Sequence, residues 1–311
     1  MFLISGPDLV AACCTAGIVG TLPALNQRTT EGLSDWLTTI KERCAEFETR
    51  TGTSAAPYGV NLIVHRTNPR LMQDLECCVQ HRVPLIVTSL GAARNVVDKV
   101  HAYGGIVFHD VTTTYHARKA VDAGADGLVA VSAGAGGHAG TTNPFALVAE
   151  IRAFFDGTVL LAGAISTGRD IVAAQALGAD LAYLGTRFLA TQESRAPSNY
   201  KMLITASSAA DIVYTSVVSG VPANFLQASL AAGGIDLQHA QTPQHVDFGT
   251  ELDATSASES RARPWRDLWS AGQGVGTITD VPDVASLVAR LEGEYRGAVT
   301  AFVAAAAPYQ R

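Results

Sequence analysis

Charge is scarce in this chain. Of 311 residues only 16% are Asp, Glu, Lys or Arg, the balance is −6, and Lys and Arg nowhere cluster, which argues against nucleic acid or any other phosphate-backbone partner. Cysteine is scarce too: Cys13, Cys14, Cys44, Cys77 and Cys78 are an odd set containing two adjacent pairs. That set does not make an internal disulfide framework and reads as buried free thiols of a reducing cytoplasm. No CxxC, HExxH or GK occurs, so the usual zinc spacings and the P-loop are excluded. Residues 1–25 have no basic segment ahead of their apolar stretch, and no apolar run is long enough to span a bilayer. The expectation is a cytoplasmic protein with no membrane partner.

What is abundant is apolar sequence, 48% of the chain. From residue 59 to 189 short runs rich in Val, Ile and Leu alternate with Gly- or Ser-containing breaks and helix-like stretches. The runs are GVNLIV (59–64), PLIVTSLG (84–91), GGIVFHDV (104–111), DGLVAVS (126–132), VLLAGAI (159–165) and LAYLGTRFL (181–189), and IVGTL (18–22) adds a seventh. Continuous rather than alternating apolar runs, each followed by a helix, predict successive βαβ units on a parallel sheet buried on both faces. An eighth strand for a closed barrel has room only upstream of residues 8–17, where MFLIS is too short, so either the chain opens at the end of strand one, which is the expectation, or the barrel is completed in some other way.

After residue 190 the pattern fails. Residues 191–264 carry helix-like stretches near 199–218 and 222–233 and then a polar tail, and they read as a helical insertion or lid. Residues 1–190 and 265–311 make up the barrel, with 283–299 as its last helix. At this length one domain with an insertion and two domains both stay open.

Three glycine-rich stretches are candidates for chemistry. SAGAGGHAG (132–140) sets His138 among Gly134, Gly136, Gly137 and Gly140, in a loop that follows a strand and precedes a helix capped by Asn143 and Pro144. Such a loop lies where α/β barrels keep their sites, and its glycines let a ligand approach backbone N–H groups. A tight turn with a solvated histidine is the alternative. LLAGAISTG (160–168) and YLGTRF (183–188) occupy the loops that bind phosphate in many barrels, through Gly163, Ala164, Gly185 and Thr186 with a helix terminus behind them. WSAGQGVG (269–276) is open between a ligand contact and a C-terminal turn. Of the neighbours His109 and Asp110, which end a strand, only one can face the barrel mouth.

GGHAG at 136–140, AGAISTG at 162–168, LGADLAYLGTRFLAT at 177–191 and WSAGQGVG at 269–276, together with VNLIVHRTNP at 60–69 and GPDLVAACCTAGIVGTLPA at 6–24, resemble the nitronate monooxygenases, formerly called nitropropane dioxygenases. The resemblance implies a (β/α)8 TIM barrel with a helical insertion after its last strand, FMN as cofactor, and a small-molecule substrate oxidised with O2. It implies His138 as the catalytic residue beside the flavin and substrate, and the phosphate site on Gly163, Ala164, Gly185 and Thr186. Asn61, Gly137, Ser270 and Gln273 fall to the flavin by the same likeness. Met1 matches a methionine that ends the family's first strand, so the resemblance puts most of that strand upstream of this chain. Some members carry a lysine where Asp110 stands and a polar or acidic group near Val131 and Gly134. NADH:quinone reductases and flavin-dependent enoyl-acyl-carrier-protein reductases share the fold, so an NAD(P)H-dependent flavin reductase is the second reading, and a flavin-free phosphate-binding barrel the third. A homodimer is left open.

Overall fold

A computed structural model describes residues 1–91, 94–243 and 265–309. Each of the seven apolar runs holds one strand of a single parallel sheet. These are β1 (Gly20–Pro23), β2 (Tyr58–Ile63), β3 (Leu85–Ser89), β4 (Ile106–Val111), β5 (Gly127–Val131), β7 (Thr158–Ala162) and β8 (Leu181–Tyr183), adjacent in that order. A helix follows each strand and returns the chain to the next, Thr30–Thr51 being the longest of the six between β1 and β8. The last apolar run is only partly strand: after Tyr183 the chain turns at Gly185 into the short helix Thr186–Leu189.

Both faces of the sheet are buried, which is why the runs are apolar at consecutive positions. Leu85, Val87, Phe108, Val129, Leu160 and Ala162 pack together on the inner face. Their strand neighbours point outward: Val60, Leu62, Ile86 and Val107 against Leu33, Leu37, Ile40 and Leu75, and Leu128, Ala130, Val159 and Leu161 against Leu147, Val148 and Ile151. The sheet curls until its first and last strands meet, where Thr21 Oγ1 and Tyr183 Oη lie 2.9 Å apart in a hydrogen bond. Among the described residues no strand stands between β1 and β8. Residues 1–5 form a turn over that seam. Buried Asn26 fixes it, donating to the carbonyls of Met1 (3.0 Å) and Ser5 (2.8 Å) and accepting from Leu3 N–H (2.7 Å).

The insertion differs from the helical expectation. Among the described residues α-helices occupy Ser198–Thr205 and Gln227–Ala232, and between them β9 (Ile212–Thr215) and β10 (Ala223–Leu226) pair antiparallel. IVYT and ANFL are rich in β-branched and aromatic residues, but four residues are too few to display a period of two inside an Ala- and Ser-rich stretch. Their pairing is also non-local, since β10 takes β6 (Gly137–His138) as its other neighbour. Most of the polar tail expected to follow, residues 244–264, lies outside the described residues.

The C-terminal helix Val284–Ala306 packs on the helices Gly168–Ala176 and Pro7–Thr15. Its contact with the first of these is backbone to backbone: a Cβ at Gly168 would collide with Leu291 O and Tyr295 N, whereas a Cβ at Gly293 in the same helix meets open space. Gly168→Ala is therefore expected to destabilise the protein by about 1–3 kcal/mol through overpacking. Gly293→Ala should stabilise it by about 0.5–1 kcal/mol through helix propensity. Denaturant unfolding of both variants checks the pair, and equal effects would count against the close contact.

Candidate active site

Because all seven strands run the same way, their carboxyl ends gather at one end of the sheet, where loops can converge on a common space. A cavity of about 1480 Å³ opens there, larger than the ~300–1,000 Å³ usual for one small ligand. Met1, Asn61, Gly137, His138, Gly163, Ala164, Gly185, Thr186 and Ser270 all line it. Gln273 does not join them. Its side chain packs on Gly134 from the exposed side, and its N–H donates to Gly134 O at 2.8 Å.

The glycines of the His138 loop divide by role. Gly134 and Gly136 face the 270–274 turn: a Cβ on Gly134 would lie 2.8 Å from Gln273 Oε1, and one on Gly136 2.8 Å from Gly272 N. Gly140 approaches Thr112 and Val131 O, which seats the loop on the end of β4. Gly136 and Gly140 serve the packing of backbone on backbone, and Gly134 makes room for the Gln273 side chain. Gly137 alone has an open Cβ side, with φ of +76° that suits glycine.

His138 is half-buried at the cavity wall. Its backbone pairs with Ala223 on β10, and its ring meets Trp265 edge-on, with centroids 5.1 Å apart and planes at 83°. The inserted hairpin holds the loop further: Asn224 Nδ2 donates to Ala135 O (2.7 Å) and Tyr214 Oη to Ala139 O (3.0 Å). Burial pushes the His138 imidazole down to about 4, so at neutral pH it is an uncharged base. Tyr200 clamps the neighbouring turn, donating its hydroxyl to Ser270 O, accepting from Ser270 N–H (3.0 Å) and stacking on Trp269. Tyr200, Tyr214, Asn224 and Trp265 carry no sequence signal of their own; only the pairing of β6 with β10 brings the hairpin residues here.

The loops after β7 and β8 form the other wall. The helix terminus expected to help an anion is occupied: Ser166 and Thr167 N–H donate to Asp170 (2.9 and 2.8 Å) and Gly168 N–H to Glu294 (2.8 Å). The N–H groups of Gly163, Ala164 and Gly185 donate to no acceptor among the described residues. Gly163 holds φ of +133° and packs on Ser132, and Ala164 holds φ of +54°, a left-handed conformation that a non-glycine residue adopts at a cost. Thr186 Oγ1 accepts from Gly272 N–H at 2.9 Å and keeps its own proton to donate.

Of the pair ending β4, Asp110 faces the interior and His109 faces out, bonding Thr88 Oγ1 at 2.6 Å. Asp110 lines the cavity and its Oδ1 is buried without a partner. Burial raises this carboxyl to about 7, opposed by the nearby α-amino group of Met1. The arrangement thus offers a neutral base, a protonable carboxyl, three unpaired amides and an apolar floor. Among the described residues no group of His, Cys, Asp or Glu is placed to hold a metal, and no helix is long and apolar enough to cross a membrane.

The nitronate monooxygenase family matches residues 27–294. The chain is 30% identical over 73% of its length to the (3aS,4S,5R,7aS)-5-hydroxy-7a-methyl-1-oxo-octahydro-1H-indene-4-carboxyl-CoA dehydrogenase of Rhodococcus jostii, and the match spans 61% of that relative. It is 27% identical to a nitronate monooxygenase of Paraburkholderia phytofirmans, over 95% of this chain and 90% of the other. Among solved structures it is similar to a nitroalkane oxidase from Streptomyces ansochromogenes, with TM-score 0.75, 27% identity and coverage of 96% and 94%.

The state of His138 has a consequence for stability. The unfolded chain takes up this proton near 6.5 and the folded chain only near 4, so folding stability present at pH 7 is lost as the pH falls between those values. His138→Asn should remove part of that loss. Melting temperatures from pH 7.5 to 4.5 check it; a wild-type-minus-variant difference that stays flat would count against a neutral His138.

Proposed function

Because the chain belongs to the nitronate monooxygenase family, we propose that it is an FMN-dependent oxidoreductase that oxidises alkyl nitronates with O2. The reading is carried by one juxtaposition: a neutral imidazole, His138, on the wall of the cavity that also holds the unpaired amides of Gly163, Ala164 and Gly185. The fold we infer is a TIM barrel of residues 1–190 and 265–311, with 191–264 inserted after its last strand. The five free thiols support the cytoplasm as its compartment.

The residues fit the cofactor. Three amides without acceptors among the described residues and the Thr186 hydroxyl are a donor set for one phosphate group. Gly137 leaves the space beside the His138 loop clear for a flat ring, with Asn61 and Ser270 facing the same cavity. When bound, FMN supplies the electron chemistry with O2. The protein handles the proton. Neutral His138 accepts the α-proton of a nitroalkane, and the imidazolium formed pairs with the nitronate anion left behind. The apolar floor of Leu85, Val87, Phe108 and Leu160 and the ring of Trp265 keep that exchange away from bulk water.

His138→Asn is expected to lower kcat/KM for neutral nitroalkanes by about 10²–10⁴-fold, the usual size of a general-base contribution. Pre-formed nitronates should lose far less, because their proton is already gone. Equal losses on both substrates would sink the base assignment. Fast anaerobic bleaching of the flavin by NADH would instead favour a flavin reductase, and a colourless protein that takes up no FMN would overturn the cofactor.

A further inference from the structure

Asp110 is a cavity residue that the proposed reaction does not use. It stands at the carboxyl end of β4 with its side chain turned inward, beside the inward residues of β3 and β5, Ser89 and Val129. Its Oδ1 is buried and bonded to nothing, an expensive condition for an ionised carboxylate and a cheap one for a neutral acid. The His138 loop closes over the same strand end, because Gly140 packs on Thr112, two residues beyond Asp110. A ligand held at His138 is therefore held near this carboxyl.

We propose that Asp110 couples anion binding to proton uptake: the cavity takes an anionic ligand only together with a proton on this carboxyl. The neutral acid donates a hydrogen bond to the anion, while the ionised form places a second negative charge in the same low-dielectric space. The groups facing Asp110 do not cancel that charge. Across the cavity Tyr183 is bonded to Thr21, and burial pushes its phenol up to about 12, so it stays neutral. His138 is neutral, Lys119 and Glu292 lie elsewhere on the cavity lining, and the cation that acts on the carboxyl is the α-amino group of Met1, whose charged form is itself disfavoured by burial. His109 lies on the opposite face of β4, with His116 from the following helix beside it. The carboxyl's own titration, raised to about 7 by desolvation, puts the coupling within the range of ordinary assays.

The inference takes its anion, a nitronate, from the proposed function, but the test uses nitrate, which is planar, anionic and not turned over. Calorimetric titration of the FMN-loaded protein with sodium nitrate, against sodium chloride at equal ionic strength, is run from pH 6 to pH 8.5 in two buffers of different ionisation enthalpy. The expected result is an affinity that weakens about tenfold per pH unit above 7, with close to one proton taken up per nitrate at pH 8.5. Asp110→Asn should bind nitrate with less than a twofold change across the range and no proton uptake, and Asp110→Ser repeats the comparison should the amide fail to fold. Proton-coupled binding that persists in either variant overturns the proposal, as does the absence of nitrate binding at pH 6. A protein that shows the coupling yet oxidises no nitronate keeps the role of Asp110 and loses the monooxygenase reading.

Discussion

Two loops that meet through their backbones hold this site together. The turn at 270–274 lies against the 132–140 loop so closely that Gln273 N–H reaches Gly134 O at 2.8 Å and a Cβ on Gly272 would sit 2.6 Å from the same carbonyl. Side chains at Gly136 or Gly272 would part them. The contact joins the curled sheet to the C-terminal segment, and β10 adds a third partner by pairing with Gly137 and His138. His138 thus owes its position to three distant stretches of chain. A strand, an inserted hairpin and a C-terminal turn must all be in place before the imidazole faces the cavity.

That dependence explains what could be read in the sequence and what could not. The seven strands were legible because two-sided burial leaves a local mark, apolar residues at consecutive positions such as Leu128, Val129 and Ala130. The loops were legible for the same reason, since Gly163 and Gly185 fall toward the ends of their apolar runs and His138 lies in the glycine-rich stretch that follows another. The hairpin β9–β10 left no such mark: its strands are four residues long and are stabilised by β6, nearly ninety positions upstream. Reading the insertion as helix was the natural error in Ala-rich sequence. The role of the glycines was half legible. Their density marked a close approach, but the partner of Gly134 and Gly136 is the protein's own 270–274 turn, and only Gly137 is left open.

The parity of β4 was settled by packing alone. Sequence limits His109 and Asp110 to opposite faces without saying which is inward. Phe108 joins the inner cluster with Val87 and Val129, so Asp110 must share its face, while His109 turns to Thr88 in the layer between sheet and helices. One position of register would have placed the imidazole inside and the carboxylate outside.

Burial then acts on the two titratable walls of the cavity with opposite signs and the same result. It pushes His138 down to about 4 and Asp110 up to about 7, so between those values neither residue carries charge. Across that interval the polar groups left to meet a ligand are dipoles, chiefly the N–H groups of Gly163, Ala164 and Gly185 that no protein acceptor among the described residues takes up. Those amides lie at the ends of β7 and β8, where Gly163 and Ala164 have positive φ and Gly185 opens the helix Thr186–Leu189. The polarity of the site is therefore set by chain conformation more than by ionised side chains, in keeping with a sequence so poor in charge.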